Sequence, residues 1–78
     1  MTEYNGHKNW TQWNVALWLW NNECLYHMMQ DSVKAANGNK RKAAARMWRE
    51  LNNSGTKRTP DGATFSIIAI QNAMRDVE

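Results

Sequence analysis

Residues Tyr4–Trp20 read YNGHKNWTQWNVALWLW. Four of the chain's five tryptophans lie between Trp10 and Trp20. The reading of this run decides the fold. Asn9 is a good helix cap, and Gln12 three residues later suits a capping box. At about 100° per residue, Trp10, Trp13, Leu17 and Trp20 share one face of a helix spanning 10–20, while Val15, Trp18 and Leu19 point elsewhere. Only Thr11, Gln12 and Asn14 interrupt the apolar surround, and a helix apolar on nearly all sides is usually buried. The expectation is a central first helix whose Trp10, Trp13 and Trp20 form the core, at least two of them fully buried. Trp18 either packs beneath the last helix or stands out as an aromatic anchor for a partner.

The rest of the chain supports that weighting. Its 78 residues allow one domain, 1–78, and a chain this short buries only roughly 60–65% of its unfolded surface. A single cysteine, Cys24, excludes an internal disulfide. Large side chains or self-association must therefore supply the stability. Each buried tryptophan removes about 150–250 Å² from water.

Working outward, residues 1–8 read as irregular with a turn at Asn5-Gly6. Asn21-Asn22 breaks the first helix and caps a second, about Glu23–Ala36, with Leu25, Met29, Val33 and Ala36 inward. Asn37-Gly38 is a C-terminal stop, and Asn39 caps a third helix, about Lys40–Asn52, with Ala44, Met47, Trp48 and Leu51 inward. Asn53-Ser54-Gly55 ends it, and Thr59-Pro60-Asp61-Gly62 is a turn. In the last segment Ile67, Ile70, Met74 and Val77 keep helical spacing after a possible cap at Thr64. Residues 64–70 are nevertheless rich in strand formers, so a strand over 63–70 stays open beside the helix. The fold expected is all-α, a compact bundle of about four short helices.

The net charge of +3 is uneven. Seven of ten basic residues fall between Lys40 and Arg58: Lys40, Arg41, Lys42, Arg46, Arg49, Lys57 and Arg58, opposed only by Glu50. Lys42, Arg46 and Arg49, four and three apart, line the outer side of the third helix. A solubilising face normally mixes signs, so this cluster is the candidate binding surface, for phosphates or for an acidic protein surface. Against nucleic acid, aromatics and charges sit on different segments, and the second and third helices lack clear helix-turn-helix spacing.

Catalytic and metal patterns are weak. Cys24 and His27 are helix neighbours, but only His7 could add to them, short of the three or four ligands zinc requires. There is no phosphate loop and no carboxylate pair. The expectation is no enzyme, no metal and no cofactor. No secretion signal or membrane-length apolar run is evident, giving a soluble, cytoplasmic protein with no membrane partner. Met28 beside Cys24 leaves monomer or homodimer open.

Tyr4-Asn5-Gly6, Asn9, Trp13-Asn14-Val15-Ala16-Leu17-Trp18, Asn22-Glu23 and Leu25-Tyr26 together resemble a family of short bacteriophage, plasmid and mobile-element proteins. Its N-terminal signature is roughly Y-N-G, N, T-W-N-V-x-L-W, N-(D/E), L-Y. Gln12 stands where the family usually has threonine, and the step from Glu23 to Leu25 is one residue short. The resemblance covers the first third of the chain and implies an accessory protein without established catalytic chemistry. Such proteins commonly bind a host protein stoichiometrically, which implies an inhibitor of host defence of the anti-CRISPR or anti-restriction type, acting in the bacterial cytoplasm. The alternative is a small nucleic-acid-binding regulator using the same 40–58 patch.

Overall fold

The structure is a computed structural model that describes residues 9–77. The turn expected at Asn5-Gly6 lies outside the described residues, as does any pairing of residues 1–8. The chain is all-helical in the order α1 (Trp10–Asn21), α2 (Glu23–Ala35), α3 (Lys40–Asn53) and α4 (Ile67–Ala73), closed by a 3₁₀ turn at Met74–Asp76.

The helix boundaries follow from local chemistry. Asn9, Asn22 and Asn39 each accept a hydrogen bond from the backbone N–H three residues on, at 2.9 Å, 3.1 Å and 3.1 Å. Asn22 both ends α1 and starts α2. After α2, Asn37 adopts φ 54°. There Gly38 N–H reaches Val33 C=O and Asn37 N–H reaches Lys34 C=O, both at 3.0 Å. The same Schellman pattern closes α3. Gly55 sits at φ 81°, and Thr56 N–H reaches Leu51 C=O at 2.8 Å.

α1 packs against α2 and α4, and α3 packs against the same two, so α1 and α3 occupy diagonal corners. The core between them is Val15, Leu19, Met29, Val33, Ala44, Met47, Leu51, Ile70 and Met74, with Phe65 sealing one end. Trp48 packs against it from the edge.

The tryptophan run does not fill this core. Trp10 and Trp20 remain 38% and 39% exposed and Trp13 is half-buried; the buried side of α1 is Val15, Ala16 and Leu19. The expected face exists, but it points outward. The cause is size. α1 packs on α4, whose buried residues are Ala69, Ile70 and Ala73, and small and aliphatic side chains permit a close approach where indoles do not. Because α1 is apolar on nearly every side, periodicity alone could not tell its two faces apart.

The last segment also differs from expectation. Ser66, not Thr64, caps α4, accepting from Ala69 N–H at 3.1 Å. Ala63–Phe65 is extended and turned back on the preceding loop. Arg58 and Thr64 form an isolated antiparallel bridge. It is flanked by Phe65 N–H to Lys57 C=O at 3.0 Å and Thr59 N–H to Ala63 C=O at 2.7 Å. The strand-forming character of 64–66 is thus spent within a small ribbon.

Candidate functional site

α3 carries its charge on the side turned away from the core. Ala43, Ala44, Met47 and Leu51 are buried, and Lys42, Arg46 and Arg49 are exposed opposite them. Spacings of four and three set these three cations on one ridge, and exposed Asn53 continues it by one turn. Lys40, in the first turn, is half-buried, and Arg41 is exposed on the flank shared with Trp48. Arg46 pairs with Glu50, Nε to Oε1 at 3.4 Å, both side chains about half-exposed. The centre expected for the patch is therefore partly neutralised, and Lys42 and Arg49 carry its unpaired charge.

Lys57 and Arg58 lie on the 57–65 ribbon and are also exposed. Successive residues of an extended segment point to opposite sides. Thr59 turns inward, so Arg58 projects outward beside Thr64, on the other side of the ribbon from Lys57. The seven cations thus divide into a helical ridge, an outlying pair on α3 and two divergent loop residues.

A cleft of about 460 Å³ separates α2 and α3. Cys24, His27, Met28 and Asp31 line it from α2, and Arg46 and Glu50 from α3. Among the described residues, no three His, Cys, Asp or Glu side chains are grouped to hold a metal ion. No described helix is long and apolar enough to cross a membrane.

Sequence reasoning missed one constellation. Thr59 Oγ1 donates to Asn14 Oδ1 at 2.6 Å. Asn14 Nδ2 donates to Asp61 Oδ2 at 2.9 Å, and Trp18 Nε1 donates to the same oxygen at 3.0 Å. Thr59 Oγ1 also accepts from Ala63 N–H at 3.0 Å. Asn14 and Thr59 are buried, at 2% and 4% exposure. The Asn14 amide, then the Trp18 indole, hold the Asp61 carboxyl below its usual 3.8. Trp18 is half-buried, its indole N–H held by Asp61 of the Thr59–Gly62 turn. The available signal was Asn14 and Trp18 one turn apart, with a Thr-Pro-Asp-Gly turn whose polar side chains needed partners. These residues fasten the loop that carries Lys57 and Arg58.

Neither curated proteins nor solved structures give a match to this chain. A family described as of unknown function, DUF7249, matches residues 1–78 in full, and the chain belongs to that family.

Proposed function

We propose that the protein works by stoichiometric binding and not by catalysis, presenting the outer ridge of α3 to an acidic surface on a partner. One observation carries the reading: Lys42, Arg46 and Arg49 are exposed on one helix face whose only anion, Glu50, offsets Arg46 alone. Lys40 and Arg41 lie at the head of the same helix, and the ribbon adds Lys57 and Arg58. The partner favoured by the resemblance of the first third to phage and mobile-element proteins is a host defence complex in the bacterial cytoplasm, CRISPR effector or restriction enzyme. The protein would act there as an inhibitor.

Nucleic acid is the second reading, since phosphates would meet the same cations. The second and third helices lack clear helix-turn-helix spacing, which counts against major-groove insertion of that kind and leaves backbone contact. Pull-down from a nuclease-treated bacterial lysate, run beside a duplex DNA shift assay, separates the two. Phosphate binding should fall steeply between about 50 and 200 mM salt on any sequence, whereas an inhibitor should ignore free DNA and retain one protein complex. Lys42→Glu with Arg49→Glu should lower either affinity at least about tenfold with the helical circular dichroism unchanged. Undiminished binding by that double variant refutes the ridge as the contact surface.

A further inference from the structure

α1 carries a second surface, independent of the α3 reading. Opposite its buried side stand Trp10, Leu17 and Trp20, 38%, 38% and 39% exposed, with half-buried Trp13 in the same line. Their spacing of three, four and three is the a-d-a-d seam by which one helix meets another in a coiled coil. No residue of the 12-residue helix is charged. The stripe is also its own reverse: positions 10 and 20, like 13 and 17, are centred on 15. Two α1 helices laid antiparallel about a two-fold axis at the level of residue 15 would set Trp10 against Trp20 of the second copy. Trp13 would meet Leu17 in the same way, each contact occurring twice, as an isologous interface requires.

We propose that the outer face of α1 is a self-association surface that pairs two copies of this chain antiparallel. Trp20 is already fixed for the role. Its indole N–H donates to Ala73 C=O at 2.9 Å, and its ring lies 5.5 Å from that of Tyr26, so little side-chain freedom is lost on contact. Charge placement agrees. Each copy carries +3, but α3 sits diagonally across the bundle from α1, so the two cationic ridges point away from each other.

Area sets the strength. With about 150–250 Å² per large side chain, the exposed parts of Trp10, Leu17 and Trp20 offer on the order of 200 Å² per copy. A standard interface takes about 800 Å² per partner. The pairing is therefore transient and grows in with concentration.

Sedimentation between about 10 μM and 1 mM should show the average mass rising from 9.1 kDa toward twice that value. Leu17→Glu, at an exposed position, should keep the circular dichroism spectrum and remain monomeric. In wild-type protein the indole N–H resonances of Trp10 and Trp20 should shift on dilution while that of Trp48 does not. A spin label on Cys24, exposed and the only thiol, tests orientation near the Trp20 end. Mixed with isotope-labelled untagged protein, it should broaden Trp10 more than Trp20. A mass that stays monomeric at 1 mM overturns the proposal. So does association that survives Leu17→Glu, dilution shifts confined to the Cys24 and Met28 cleft, or association appearing only with lipid or another protein.

Discussion

Asn14→Ala tests whether the buried polar cluster holds the α3–α4 loop to α1. The side chain is 2% exposed and accepts from Thr59 at 2.6 Å. Deleting it removes the bond from Thr59, with a net contribution of about 1 kcal/mol, together with the donation to exposed Asp61, and leaves the buried Thr59 hydroxyl without an acceptor for its proton at about 1–2 kcal/mol more. The expected loss is about 2–3 kcal/mol, from a domain whose size implies roughly 4–12 kcal/mol in total. At about 4–8 °C per kcal/mol, the melting temperature should drop by roughly 10–20 °C. Urea and thermal melts followed by far-UV circular dichroism give both numbers. In a cycle with Thr59→Val, which removes the donor and also the acceptor of Ala63 N–H, the double variant should lose less than the two single losses summed, since no hydroxyl is then stranded. A loss below about 1 kcal/mol, or strict additivity with Thr59→Val, would refute the idea that this pair fastens the loop.

Two further outcomes follow from the same interior. Met47→Ala, at a side chain with no exposed surface, should cost about 2–5 kcal/mol and leave the protein partly unfolded near 37 °C, read by denaturant midpoint. Asp61 gives a pH signature. Its carboxyl is held below 3.8 by Asn14 and Trp18. Its stabilising effect should therefore be complete above the unfolded value and vanish as pH falls through the lower folded one. Melts between about pH 6 and pH 3 should show a step in wild-type protein that Asp61→Asn, which keeps an acceptor oxygen, lacks. Identical pH profiles for the two would remove Asp61 from the cluster.

Much of this architecture was legible because it rests on residues whose conformational roles are local. Asparagine before an apolar run, and Asn-Gly or Ser-Gly after one, fixed the ends of α1, α2 and α3 to within a residue or so. α2 and α3 are amphipathic, so their inward faces could be read by period. α1 could not be oriented that way, because apolar residues surround it. Its orientation depends on the helices it packs against, α2 and α4, which a local pattern does not contain. The start of α4 was misplaced because Thr64 is held in a ribbon by Lys57 and Arg58, contacts a helical period cannot foresee. The basic ridge was visible as a charge run, but not the pairing of Arg46 with Glu50 or the divergence of Lys57 from Arg58. The Asn14–Thr59 bond joins residues 45 positions apart, and no spacing rule reaches that far.

The outward tryptophans of α1 bear on how this protein should be watched. An indole that already meets water in the native state changes its emission little on unfolding, so the emission of Trp10 will under-report loss of the Val15, Leu19 and Met47 interior, which Trp48 at its edge must report instead. Trp18 differs, since its indole N–H is tied to Asp61, and its signal will respond when the loop lets go. Optical probes of this molecule therefore read separate regions: emission follows the surface through Trp10, the loop through Trp18 and the edge of the core through Trp48, while far-UV circular dichroism follows the helices. Transitions that fail to coincide would mark the loop detaching before the bundle melts, a departure from all-or-none unfolding that no single probe would reveal.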